Sequence, residues 1–339
     1  MIKYLLPKEG NFYKANLHCH TTCSDGELTP LEMKNLYKSK GYSILAITDH
    51  EVLIPHHKEL SDGEFLVLNG FELGFDENWK RSFLNAKVCD LCIIALDPEN
   101  ITQPCFHRTK YHNPERNDSL VFDEKEPDFN REYNADCINE AIKICREKGI
   151  FVTHNHPHWS LEKYEQYSKY KGMHAMEIIN YGSLIDGYNE KNGDIYDEQL
   201  LLGKKIFALG TDDNHNRRTP DSRMWDSFGA WTVIKSESLD YKAVTDAMLK
   251  GSFYASEGPE IYEMYLDGDQ LHVECSGADK VFCTTAHRRC MSRYNEETGL
   301  ITHAVFEIKP DDIYFRVAVY DKEGKEAYSN AYFTEDVLD

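Results

Sequence analysis

Long apolar runs are missing from this chain. No stretch of its 339 residues approaches the roughly 20 apolar residues that a membrane-spanning helix requires, and the mean hydropathy is -0.59. The first residues, Met1-Ile2-Lys3-Tyr4-Leu5-Leu6-Pro7-Lys8-Glu9, hold too short an apolar run for a secretory signal. Positive charge is also scarce: Lys and Arg number 38 against 58 Asp and Glu, a formal net charge of -20. That balance excludes a general basic surface for nucleic acid, because phosphate contacts need Lys and Arg; it leaves room for a local basic pocket. The ten cysteines lack the spacing of a small disulfide scaffold. Cys89-x-x-Cys92 could be half a zinc site or a redox pair, but it has no partner pair. It lies in the apolar run Cys89 to Leu96, where buried strand cysteines are the stronger reading. Internal repeats and low-complexity segments are absent too. Together these absences predict a cytoplasmic protein with reduced thiols and no membrane partner, and they leave the oligomeric state open.

What is present is a recurring pattern. Asn16-Leu17-His18-Cys19-His20 leads into Ser24-Asp25-Gly26. On an extended strand, side chains repeat every two residues, so His18 and His20 project to one side. Ile44 to Ile47 runs into Thr48-Asp49-His50, and Phe65 to Leu68 into Asn69-Gly70-Phe71-Glu72. Ile150 to Thr153 ends in His154-Asn155-His156-Pro157, and Ile206 to Leu209 in Gly210-Thr211-Asp212-Asp213-Asn214-His215. Each short apolar run therefore delivers a metal-capable group at its end. Parallel βα barrels place their sites at such ends, where loops converge. The donors mix imidazole nitrogen with carboxylate oxygen, which suits Zn, Mn or Fe. Their number exceeds the needs of one ion and predicts two or three divalent ions.

The remaining segments add detail. Thr29, Pro30 and Glu32 form a capping-box start, so a helix is expected over 29–41, with Leu31, Leu36 and Tyr37 facing the core and Gly41 ending it. A second amphipathic helix is expected over 134–148. Residues 97–131 form a long polar loop in which His107, Arg108 and Lys110 could hold an anionic substrate group. Arg217 and Arg218 place further positive charge just beyond the strand that ends in Asp213. His154, His156 and His158 alternate, and not all three can be direct ligands. Glu177 and Asn180 could touch the site or be structural. From Gly258 the character changes to short β runs separated by turns such as Asp267-Gly268-Asp269. Two domains are expected, 1–258 and 259–339, the second a small antiparallel β sandwich. Its histidines His272, His287 and His303 lack a metal-ligand spacing in the sequence.

The ordered set His18-x-His20, Ser24-Asp25-Gly26, Thr48-Asp49-His50, Gly70-Phe71-Glu72, Asn155-His156-Pro157 and Asp213-x-His215 resembles the polymerase-and-histidinol-phosphatase (PHP) family of metal-dependent phosphoesterases. The resemblance implies a distorted (β/α)7 barrel. It implies one ion held by His18, His20, Glu72 and Asp213. Glu72 would bridge to a second ion, also held by His156 and by Asp90, His107 or, as runner-up to His156, His154. Asp25, His50 and His215 would hold a third. Asp90 stands where such relatives carry a histidine; it could serve as an oxygen ligand, or that position could be weakened. The implied reaction is hydrolysis of a small phosphorylated substrate by a metal-bound hydroxide, with Arg108, Arg217 and Arg218 binding substrate and His107 or His154 as candidate acids. The C-terminal β module is similar to that of carbamate-hydrolysing relatives. An ester or carbamate hydrolase with the same site, and a non-catalytic metal- or nucleotide-binding regulator, stand as alternatives.

Overall fold

A computed structural model describes residues 2–78, 86–113, 115, 119–289, 291–296 and 299–338. The first strands are β1 (Ile2–Tyr4), β2 (Asn11–Asn16), β3 (Ile44–Ile47), β4 (Leu66–Asp76), β5 (Val88–Ala95), β6 (Ile150–His154), β7 (Ala175–Asn180), β8 (Phe207–Thr211), β9 (Trp231–Ser236) and β10 (Phe253–Ser256). After residue 258 come β11 (Ile261–Asp267), β12 (Gln270–Ala278), β13 (Lys280–Thr285), β14 (Met291–Tyr294), β15 (Ile301–Glu307), β16 (Tyr314–Tyr320), β17 (Glu326–Ser329) and β18 (Tyr332–Phe333). The architecture is mixed α/β, dominated by one large mixed sheet. Among the described residues no helix is long and apolar enough to cross a membrane.

Helix Pro30–Ser39 begins at Thr29 with the complete capping box, and Gly41 follows it at φ +77°. That left-handed backbone costs glycine nothing, so the chain can turn directly into β3. One detail differs from expectation. Leu31 is 54% exposed; Tyr37 is buried as expected, Leu36 packs partly buried beside it, and Met33 fills the remaining place on the buried face. Met33 and Tyr37, four residues apart, share one face, and the Tyr37 hydroxyl donates from it to Asp212 (2.7 Å). Helix Ala135–Glu147 buries Ile138, Ala141, Ile142 and Cys145 as their spacing requires.

Strands β2, β3 and β4 pair in parallel, and so do β6, β7 and β8. Between these groups the βα alternation breaks: β5 is antiparallel to both β4 and β6. Strand β9 pairs antiparallel with β2 at one end of this run. At the other end, Thr232 of β9 reaches β8 by its hydroxyl, which accepts from Gly210 N–H (3.2 Å) and donates to Gly210 O (2.9 Å). No backbone ladder joins β8 to β9 among the described residues, so the sheet is open.

The same sheet continues through β10 and β17 to β16, β13 and β14. A separate four-stranded sheet, β1-β11-β12-β15, packs across it. Leu271, Val273, Ala304 and Phe306 of one layer meet Val281, Val317, Val319 and Ala327 of the other, all nearly fully buried. Alternation along each strand puts every second residue into this interface and leaves the intervening ones outside.

Candidate metal centre

Backbone pairing brings the separated motifs together. His20 N–H donates to Asn214 O (3.0 Å), and Asp213 N–H to His18 O (3.1 Å). The two histidines and the aspartate therefore lie side by side beyond β2 and β8. Glu51 N–H donates to Glu72 O (2.8 Å), and Glu72 N–H to Asp49 O (3.2 Å), which sets His50 beside Glu72. His156 and Asp213 have φ of +24° and +51°, a backbone region that non-glycine residues rarely occupy. Strain of this kind gathers where side-chain aim matters.

The donor atoms converge tightly. His18 Nε2 lies 3.1 Å from His20 Nε2, 3.2 Å from Asp213 Oδ1 and 3.3 Å from Glu72 Oε1. His20 Nε2 is 3.1 Å from Asp213 Oδ1 and 3.3 Å from Glu72 Oε2. Bonds of about 2.0–2.2 Å to a common ion imply ligand–ligand edges of about 3.0–3.6 Å, and these separations fall in that range. Glu72 Oε2 is buried with no hydrogen-bond partner although two imidazoles crowd it. His20 Nδ1 is equally buried and unpartnered. An orphaned carboxylate oxygen in the interior costs free energy that a cation would remove. The residues present fit a divalent metal.

Two further groups flank this centre. His156 Nε2 stands 3.3 Å from Glu72 Oε1 and 3.8 Å from Asp213 Oδ2. Asp25 Oδ1 faces His20 Nδ1 (3.8 Å), His50 Nε2 (3.7 Å) and His215 Nε2 (3.5 Å). Asp90 enters from the antiparallel strand β5, opposite Gly74 in register. A Cβ on Gly74 would stand 2.9 Å from Asp90 Oδ1, so the glycine makes room for that carboxylate. Asp90, His156, Glu72, His50, Asp213 and His215 line one cavity of about 490 Å³, walled further out by Tyr111, Trp159, Arg217 and Arg218.

Other expected residues lie elsewhere. Arg108 pairs with Asp128, and its guanidinium caps the carbonyls of Glu124 and Glu126, outside this cavity. His107 lies beside Asp128 (3.8 Å), also outside it. His154 turns to the opposite side of β6 from Asn155, where Nε2 meets Glu162 at 2.6 Å. Two-residue alternation cannot keep both His154 and His156 on one pattern once the strand ends, and the turned backbone of His156 carries it alone to the centre. His158 contacts Asn189 O (3.2 Å). Asp212 is fully buried and accepts from Tyr37 and from the N–H groups of Phe228, Gly229 and Ala230.

A supporting shell surrounds the donors. Glu177 Oε1 meets His18 Nδ1 at 2.7 Å and accepts from Thr211 Oγ1 (2.7 Å); its Oε2 accepts from His156 N–H (2.9 Å) and Asn180 Nδ2 (2.8 Å). Asn155 Nδ2 donates to Glu72 Oε1 (2.8 Å). Asp49 accepts from Thr21 N–H, Thr21 Oγ1 and Ser24 Oγ, holding the turn that presents Asp25. Such partners fix a ligand's tautomer and orientation. Glu177 stood in the sequence as one carboxylate in an apolar strand, a signal that suggested a site role without locating it.

The charges are strongly coupled. Burial opposes protonation of His50, but the Glu72 carboxylate outweighs it and lifts the imidazole to about 10. His156 rises likewise to about 10 against burial, through Glu72 and Asp213. Burial and the neighbouring His20 lower His215 to about 3. In metal-free protein His50 and His156 are thus cations at neutral pH. Their raised values contribute stability that is complete below the ordinary 6.5 and lost as pH rises through about 10. A ligand imidazole must be neutral. His18 is also held well above its ordinary value, burial being outweighed by Asp213 and Glu72, so loading with Zn or Mn at pH 7.5 is expected to expel at least about two protons and to tighten as pH rises. Calorimetry in buffers of different ionisation enthalpy measures that release; a value near zero would contradict it.

No family model matches the chain. A 5'-3' exoribonuclease of Haemophilus influenzae is 42% identical over 40 residues, which is 12% of this chain and 15% of that protein. The chain thus spans well under a fifth of that relative's length in the match. An amidohydrolase from Chromobacterium violaceum, solved with bound sulfate and no metal, is similar with a TM-score of 0.35 and 17% identity over 59% of this chain and 87% of that one. The likeness extends to 98% of this chain and 90% of the other, with a TM-score of 0.45 and 13% identity, for a two-domain protein from Bacteroides vulgatus containing a predicted PHP-like metal-dependent phosphoesterase.

Proposed function

We propose that this protein is a metal-dependent hydrolase of phosphate esters of the PHP type, built on an open, distorted (β/α)7-type barrel over 1–258 with a β module over 259–339 that β1 joins. The observation that carries the reading is the convergence of His18, His20, Glu72 and Asp213 at separations of 3.1–3.3 Å. These four would hold one divalent ion. Glu72, His156 and Asp90 would hold a second, and Asp25, His50 and His215 a third. Bound there, the ions would supply a nucleophile from water at neutral pH and Lewis-acid stabilisation of the phosphoryl oxygens.

The chain's own residues do the rest. Glu177 holds the Nδ1 proton of His18 so that Nε2 faces the centre. Trp159 and Tyr111 wall the cavity and shed water from it. Arg217 is tied to Asp25. Arg218, exposed at the rim, has no hydrogen bond or ion pair among the described residues and is placed to meet an anion entering the cavity. With Arg217 paired to Asp25, the Arg218 guanidinium beside an otherwise acidic pocket is the group that favours a phosphate over a neutral ester or carbamate.

A panel of phosphate monoesters, phosphodiesters, carboxylic esters and carbamates, assayed with added Mn or Zn and after chelation, tests this reading. The expected result is metal-dependent release of phosphate that chelation abolishes and metal restores. Turnover of carbamates or carboxylic esters alone would establish the rival hydrolase. No turnover above the Asp213→Ala background would leave a metal-binding regulator.

A further inference from the structure

The outer face of the four-stranded sheet carries a second group of ligating side chains. In sequence, His272 and His303 stand 31 residues apart with no ligand spacing. Strand pairing supplies it. Glu274 of β12 is directly opposite His303 of β15. His272 is two residues before Glu274, hence on the same face. His272 Nδ1 lies 3.1 Å from His303 Nε2, and His303 Nε2 lies 3.6 Å from Glu274 Oε1. Leu271, Val273 and Ala304 point the other way, into the sandwich. The three polar side chains are half-buried or exposed, so an ion can reach them from solvent.

The rings are held in place. Tyr265 is the register partner of His272 and stacks on it with centroids 4.7 Å apart and planes 4° from parallel. Tyr4 extends the row across β1 at 5.6 Å from Tyr265. His272 and His303 are themselves stacked at 5.3 Å and 15°. Cross-strand ring contacts of this kind limit rotamer freedom. The entropy cost of fixing two imidazoles for a ligand has therefore largely been met by folding.

We propose that His272, His303 and Glu274 form a surface site for a single borderline divalent cation such as Zn, Ni or Co, separate from the central cavity. Two imidazole nitrogens select these ions over Mg and Ca, which take oxygen ligands. The separations of 3.1 and 3.6 Å match the edges of a polyhedron with bonds of about 2.0–2.2 Å, and water completes the shell. Without metal, one proton is shared between Nδ1 of His272 and Nε2 of His303. Binding requires that proton to move to the other nitrogen of its own ring, so that both imidazoles stay neutral, and Glu274 balances the charge gained.

Calorimetric titration of chelator-treated full-length protein with Ni or Zn tests the site. The variants are His272→Ala, His303→Ala and, for the central cavity, Asp213→Ala. The side chains are at the surface, so the two histidine variants should melt with the wild type in the presence of chelator. The expected result is that Asp213→Ala keeps one binding equivalent that His272→Ala and His303→Ala both lose. Equal stoichiometry and affinity in wild type and both histidine variants would overturn the proposal and leave the pair as an ordinary cross-strand hydrogen bond. The inference is independent of the phosphoesterase reading. If the central cavity binds nothing, wild type and Asp213→Ala titrate alike, and the loss in the histidine variants still shows the surface site.

Discussion

Glutamine in place of Glu72 is expected to lower kcat/KM for phosphate-ester hydrolysis by on the order of 10³-fold, because several kcal/mol of charge stabilisation depends on the ions it would hold. The substitution is nearly isosteric. Its carbonyl can still accept from Asn155, which donates to Oε1 at 2.8 Å. What it cannot do is carry negative charge. Burial raises the cost of ionising Glu72, yet the His18 and His50 imidazoles hold its carboxyl well below the usual carboxylate range. Glu72 is also the group that touches the most donors: His18, His20, His50 and His156 all lie within 3.0–3.3 Å of its oxygens. Neutralising it removes the one anion common to two proposed ions. Metal content measured alongside rate separates this account from a simple loss of packing. Full metal content with an unchanged rate would refute the bridging role, whereas loss of metal with an intact melting curve in chelator would support it.

Much of this centre was legible because strand chemistry has a period of two. His18 and His20 share a face for that reason. Asp213, His215 and His50 follow apolar runs that read as buried strands, whereas β4 runs on past Glu72 to Asp76, and Glu72 lies three residues beyond the last parallel pair with β3, Ile47 opposite Asn69. Other features depended on pairings that local sequence does not encode. Strand β5 runs antiparallel, so Asp90 approaches from the opposite direction to the other donors. Arg108 looked like an anion-binding group but is satisfied by Asp128 and the carbonyls of Glu124 and Glu126, partners 16–20 residues on that local sequence does not assign to it. His154 found Glu162, eight residues on, through a turn whose geometry the spacing did not specify. The register between β12 and β15 likewise turned two unremarkable histidines into neighbours. Period predicts which face a residue takes; only tertiary pairing decides what it faces.

Glu177 shows how far that second kind of information reaches, and Glu177→Gln is expected to weaken metal binding and activity by about 10–100-fold. Both carboxylate oxygens are fully used by donors: His18 Nδ1 and Thr211 Oγ1 on one, His156 N–H and Asn180 Nδ2 on the other. A glutamine has one acceptor and one donor end. Placed with its oxygen toward His18, it sets its NH2 against two N–H donors, and a buried unmade hydrogen bond costs about 1–3 kcal/mol. Turned the other way, its NH2 confronts Nδ1 of His18 and favours the tautomer with the proton on Nε2. That proton would then occupy the lone pair needed by the ion. Either orientation disturbs His18 or His156, so the metal dissociation constant should move more than the melting temperature of metal-free protein. A structural carboxylate alone would shift stability and leave affinity untouched. Combining Glu177→Gln with His18→Ala gives the sharper measurement: if Glu177 acts through the imidazole, the double variant should bind metal little worse than His18→Ala, and additive losses would show that Glu177 works by another route.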